Sequence, residues 1–91
     1  MIDLSHDNSG KDPARQPHVA AEVGRQIAEG NRAIIGVMLE SFLEAGRQKI
    51  DPDRLDSLVY GQSITDACLG WDATAEVLEG LAQAVRDRRD H

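Results

Sequence analysis

The stretch Ala33-Ile34-Ile35-Gly36-Val37-Met38-Leu39-Glu40 decides the fold class. It holds no charge before Glu40, and Ile34, Ile35 and Val37 are β-branched. An apolar run of this kind reads as a strand buried on both faces, as in a parallel sheet. The predicted strand covers residues 33–39 and stops at Glu40-Ser41.

Toward the N-terminus, Gly30-Asn31 supplies a helix stop. Val19, Val23 and Ile27 recur at four-residue spacing before it, with Ala20, Ala21 and Ala28 filling in. The pattern predicts a helix over 17–29. Asn8, Ser9, Gly10, Pro13 and Pro17 mark a loop ahead of that helix. Ile2-Asp3-Leu4-Ser5 reads as a short strand over 2–5.

Toward the C-terminus, residues 40–71 carry Gly46, Pro52, Gly61 and many charges, and read as a long loop. Loops of this length are uncommon and often functional. Asp72 or Thr74 then caps a helix over 72–89, with Val77, Leu78, Leu81 and Val85 on one face and Trp71 packed at its start. The order is strand, helix, strand, loop, helix. That makes an α/β protein of two βα units, with parallel strands and a right-handed crossover. Two parallel strands leave both outer edges without partners. Two helices also poorly cover an apolar strand with two buried faces. The chain therefore reads as part of a larger sheet or barrel.

Composition narrows the function classes. The 91 residues carry a net charge of −6, with 41% hydrophobic and 29% charged residues, a globular balance. One cysteine makes no internal disulfide, which argues against a bridged secreted scaffold. No apolar run approaches the roughly 20 residues of a membrane span. The N-terminus has no basic region followed by an apolar stretch, so the expected setting is the cytoplasm. An acidic chain repels phosphate backbones, so nucleic acid is not an expected partner. Arg86, Arg88 and Arg89 alternate with Asp87 and Asp90 and read as a solvated helix end, where Arg suits the helix dipole.

In parallel α/β folds the working face lies at the C-terminal ends of the strands. His6 follows the first strand, Glu40 ends the second, and Asp66 lies in the loop beyond it. An imidazole with two carboxylates is a ligand set for Mn²⁺, Fe²⁺, Co²⁺ or Zn²⁺. Each residue also has a plainer reading: His6 as a loop residue, Glu40 as a strand end in water, Asp66 as a turn cap. No compact motif such as H-E-x-x-H decides between them. Cys68 sits in an apolar segment and reads as a small packed residue. Asn8-Ser9-Gly10-Lys11 is superficially similar to a phosphate loop but lacks its pattern, so Lys11 reads as solvated. His18 and His91 read as incidental.

Three motifs point to a family. They are Ser5-His6-Asp7-Asn8-Ser9-Gly10-Lys11, Ile34-Ile35-Gly36-Val37-Met38-Leu39-Glu40-Ser41 and Tyr60-Gly61-Gln62-Ser63-Ile64-Thr65-Asp66-Ala67-Cys68-Leu69-Gly70-Trp71. Together they resemble, in order and over nearly the whole chain, the microbial class I 3-deoxy-D-arabino-heptulosonate-7-phosphate (DAHP) synthases. The resemblance implies the last two βα units of a (β/α)₈ TIM barrel. It implies condensation of phosphoenolpyruvate with erythrose 4-phosphate to DAHP and phosphate, the first step of the shikimate pathway to aromatic amino acids. It also implies a divalent metal held by a Cys, a His, a Glu and an Asp, with the last three falling on His6, Glu40 and Asp66. The metal would act as a Lewis acid on the erythrose 4-phosphate aldehyde.

The departures from the family pattern are as informative. The family's Cys ligand comes from an early strand, and Cys68 does not match it. Most of the phosphate-gripping Arg and Lys residues also lie upstream. A (β/α)₈ barrel takes roughly 250 residues. The chain is therefore expected to be a C-terminal piece that begins inside the seventh strand. Its expected partner is the N-terminal part of the barrel, and the parent is expected to be a homo-oligomer. Alone, the piece is expected to be inactive. The alternative is a non-catalytic remnant or a split-barrel interaction module.

Overall fold

The computed structural model describes residues 1–10 and 12–90, with Asp7 described by its backbone alone. Lys11 and His91 lie outside the described residues. The elements are β1 (Ile2–Asp3), α1 (His6–Ser9), α2 (Gln16–Ala28), β2 (Val37–Met38) and α3 (Trp71–Arg89). Short 3₁₀ turns lie at Pro13–Arg15 and Leu55–Ser57.

β1 and β2 pair in parallel, with Ile2 opposite Val37 and Asp3 opposite Met38. Both strands are shorter than the 2–5 and 33–39 predicted. The reason is physical: a strand extends only as far as its partner. The ladder runs from Ile2 N–H donating to Gly36 O (2.9 Å) to Leu4 N–H donating to Met38 O (2.8 Å). The expectation that 33–39 is buried on both faces is corrected by Ile35, which is 86% exposed, whereas Ile34 beside it joins the core.

α2 begins one residue before the predicted 17–29 and ends one residue before its end. Pro17 occupies the first turn, where its missing N–H costs nothing. The helix stops as its sequence predicts. Gly30 has φ +103°, Gly30 N–H donates to Ile27 O and Asn31 N–H to Gln26 O. That pair of bonds is a Schellman motif. Arg25 bridges Glu22 and Glu29 on the exposed face, and the Arg25 hydrogen bond draws the Glu22 pKa down to about 2.

The core joins Leu4, Ala20, Val23, Ile27, Ile34, Leu69, Val77 and Ala84. α2 and α3 approach closely because small residues face each other: a Cβ placed on Gly24 would meet Ala84 Cβ at 3.8 Å. No aromatic contributes, since Phe42, Tyr60 and Trp71 are all exposed.

Three details of α3 differ from expectation. It starts at Trp71 with Gly70 as its cap residue. Thr74 is not a cap: it is buried and its hydroxyl donates to Gly70 O (2.8 Å). Leu78 and Trp71 are 53% and 57% exposed rather than packed. α3 has 19 residues against 13 in α2. At ~1.5 Å per residue α2 is too short to cover α3 along its whole length. At the far end, Arg88 Nη1 donates to Ile34 O (3.3 Å), so this arginine ties the helix end to the segment before β2. Among the described residues no helix is long and apolar enough to cross a membrane.

The segment 40–71 is more ordered than a plain loop. Backbone bridges join Ser41 to Leu69, Gly46 to Cys68 and Arg47 to Ser63. Gln48 closes its tip, donating to Val59 O and Gln62 O and accepting from Val59 N–H. The molecule is elongated as a result, 56 × 22 × 17 Å.

Candidate metal centre

His6 lies just beyond β1 and Glu40 just beyond β2, so parallel pairing sets both at the same end of the two strands. Asp66 arrives from the far side of the long segment. The Gly46–Cys68 pair exchanges two backbone hydrogen bonds, at 2.8 and 3.1 Å, and Leu69 N–H donates to Glu40 O at 3.0 Å. These bonds fold the chain back so that Asp66 faces the strand ends. One donor atom from each of His6, Glu40 and Asp66 lies within 4.8 Å of the others. His6 Nε2 is 3.8 Å from Glu40 Oε2.

The donor set fits a divalent ion. An ion ~2.1 Å from each of two donors holds them at most ~4.2 Å apart. A side-chain adjustment below ~1 Å therefore closes the set on an ion. The histidine is already oriented for that role. Its Nδ1 lies 2.9 Å from Asp3 Oδ2 and 3.0 Å from Ser5 Oγ. Ser5 Oγ–H donates to Asp3 Oδ1 (2.7 Å), and Ser5 N–H donates to the same oxygen (2.8 Å). With the serine proton committed to Asp3, the ring proton belongs on Nδ1. Nε2 is left as the lone-pair nitrogen aimed at Glu40. A carboxylate behind a ligating histidine is a recurrent way to fix its tautomer and orientation.

The acidic surroundings favour a cation at this point, either a proton on His6 Nε2 or a metal ion that displaces it. The hydrogen bond to Asp3, then the charge of Glu40, raises the His6 pKa above its ordinary 6.5. The hydrogen bonds from Ser5 hold the Asp3 carboxyl below its ordinary 3.8. His6 also has φ +50°, a left-handed conformation uncommon outside glycine. Its carbonyl accepts from Ser9 Oγ (3.1 Å), and Asn8 Nδ2 donates to Asp3 O (2.6 Å). These bonds hold the turn in which the residue sits.

Cys68 stays out of the cluster. It is buried, its thiol donates to Asp66 O (3.4 Å), and burial pushes its pKa up. A thiol held protonated is a poor metal ligand. His18 sits exposed on α2 and is not among the clustered donors.

Three contributors to the site were missed in the sequence. Asp3 supports His6. Arg47 lines the same cavity of about 420 Å³ as His6, Glu40 and Asp66. Gln16 is buried at the start of α2, its amide bonded to the backbone of Glu40. The signal for Gln16 was available, because it falls in phase with the buried stripe Ala20, Val23 and Ile27. Arg47 carried no comparable sequence signal.

Known proteins resemble this chain closely. Residues 1–79 match the DAHP synthetase I family. The phospho-2-dehydro-3-deoxyheptonate aldolase of Corynebacterium glutamicum is 51% identical over 94 residues, covering 98% of this chain and 26% of the relative. The Phe-sensitive aldolase of the same name from Escherichia coli is 52% identical over 89 residues, covering 98% and 25%. The solved structure of the aldolase from Francisella tularensis SCHU S4 superposes with a TM-score of 0.86 at 45% identity, covering 96% of this chain and 25% of that one. The chain thus spans about a quarter of the length of the curated relatives it matches. With a family match through residue 79 and about half its positions identical to these relatives, the chain belongs to the DAHP synthetase I family.

Proposed function

We propose that this chain is the part of a DAHP synthase that brings three ligands to the catalytic metal, from the last two βα units of a (β/α)₈ barrel. The reaction is condensation of phosphoenolpyruvate with erythrose 4-phosphate to DAHP and phosphate, at the entry to the shikimate pathway. The observation that carries this reading is the convergence of His6, Glu40 and Asp66 beyond the ends of two parallel strands. His6 Nε2 and the carboxylates of Glu40 and Asp66 would hold the ion, a donor set that suits Mn²⁺, Fe²⁺, Co²⁺ or Zn²⁺. The bound ion supplies Lewis acidity toward a carbonyl oxygen.

The chain's own residues do the positioning. Asp3 and Ser5 hold the His6 ring with Nε2 forward. Arg47 lines the cavity over the donors and presents positive charge to a phosphorylated or carboxylated ligand there. The exposed Ile35 and the open edges of the two-stranded sheet suit contact with the rest of a barrel. The single cysteine, buried as a thiol, suits a reducing cytoplasm.

The test joins this chain in frame to the upstream three quarters of the C. glutamicum relative. The joined protein should release phosphate from phosphoenolpyruvate only when erythrose 4-phosphate is present, and His6→Ala should abolish the release. The chain alone should release none. A joined protein that folds and binds metal without turnover would contradict the proposal and favour a non-catalytic module.

A further inference from the structure

We infer that Gln16 is a positioning residue for the metal centre, acting on Glu40 through the backbone. The inference rests on the reading of His6, Glu40 and Asp66 as the ligand set. Gln16 is the first residue of α2 and is 1% exposed. Its Nε2 donates to Glu40 O at 3.1 Å, and its Oε1 accepts from Glu40 N–H at 3.0 Å. Both polar ends of one buried side chain are thereby spent on the two backbone groups of one residue. Such a clamp fixes the Glu40 backbone, and with it the point from which the carboxylate reaches the cluster.

The clamp reaches a second ligand as well. Glu40 O, which accepts from Gln16, also accepts from Leu69 N–H at 3.0 Å. Leu69 lies three residues beyond Asp66. Gln16 therefore braces the point where the Glu40 and Asp66 segments are tied together. A glutamine serving packing alone would not need to match both hydrogen-bonding groups of a ligand residue. An aliphatic residue would continue the stripe of Ala20, Val23 and Ile27. Residues that orient metal ligands typically change metal affinity by ~10–100-fold when replaced.

The test uses the 91-residue chain and Mn²⁺ as the probe, with affinity read by electron paramagnetic resonance of the free ion. Gln16→Met keeps the length and shape of the side chain and removes both hydrogen bonds. The variant should bind Mn²⁺ about tenfold more weakly while its far-ultraviolet circular dichroism matches the unaltered chain. A second readout needs no variant. On Zn²⁺ addition, the Gln16 side-chain amide resonances should shift, while those of the surface residues Gln26 and Gln83 stay in place. Equal Mn²⁺ affinity in a folded Gln16→Met chain would overturn the inference and leave the ligand set standing. A Gln16 amide that ignores Zn²⁺ binding would do the same, and it decides the matter if the variant fails to fold. An unaltered chain that binds neither ion even when joined in frame to the upstream three quarters of the C. glutamicum relative would overturn the ligand set and this inference together.

Discussion

His6 Nδ1 lies 2.9 Å from Asp3 Oδ2, so the residue opposite Met38 in the β1–β2 ladder also aims the imidazole beyond the strand end. The hydrogen bond is the largest cause of the raised His6 pKa. Asp3→Asn removes the charge and weakens that bond. His6 in the variant should titrate lower than in the unaltered chain, as followed by NMR of the ring protons. Its metal affinity should fall by ~10-fold or more. An unchanged His6 titration would show that Asp3 does not govern the ring.

Leu4 is fully buried directly after β1, at the centre of a core without aromatics. Leu4→Ala should cost ~2–5 kcal/mol in urea unfolding. Ile35→Ala removes a residue that is 86% exposed and should change stability by less than ~0.5 kcal/mol. Equal costs at the two sites would contradict the packing described.

Gly61 has φ +78°, and a Cβ there would lie 2.8 Å from Leu43 Cβ. Gly46 has φ +86°, but its nearest neighbour would be 3.6 Å away, at Gln62 Nε2. Gly46→Ala should therefore cost only backbone strain, on the order of 1–3 kcal/mol. Gly61→Ala adds a clash and should cost more. It should also expose the 42–63 segment to protease, because Gly61 O holds Glu44 N–H at 2.9 Å. Equal protease resistance in both variants would contradict this ordering.

Acid should weaken α2 in a defined window. Glu22 titrates near 4.5 when unfolded and about 2 when folded, held down first by the Arg25 hydrogen bond. A depressed folded pKa stabilises above the unfolded value and loses that contribution as pH falls through the folded one. The loss should run between pH 4.5 and about 2. Glu22→Gln should have a shallower dependence of melting temperature on pH in that window. Both partners are more than half exposed, so salt should shrink the difference. Parallel pH profiles in low salt would contradict the assignment.

Much of this arrangement was legible in the sequence because it follows local rules. The spacing of Val19, Val23 and Ile27 gave α2, and Gly30-Asn31 gave its stop. The order of elements gave the parallel pairing. What was not legible depends on contacts between distant residues. Strand length was overestimated because Ala33 to Gly36 looks like strand by composition, yet hydrogen bonding begins only at Gly36 O. The 40–71 segment looked structureless because bridges such as Gly46 to Cys68 carry no periodic signal. His6, Glu40 and Asp66 stand out in the sequence by their places after strands and by the family motifs, and the structure brings their donor atoms within 4.8 Å of one another. Asp3 and Gln16 were missed because their roles lie in hydrogen bonds to those residues rather than in contact with the cavity.

The most direct test of the account is a Co²⁺ titration of the chain, followed by visible absorption. The account predicts saturable binding of one ion, lost or weakened at least tenfold in each of His6→Ala, Glu40→Ala and Asp66→Ala, and kept in Cys68→Ser. Binding that survives all three replacements, or that disappears with Cys68, would contradict it.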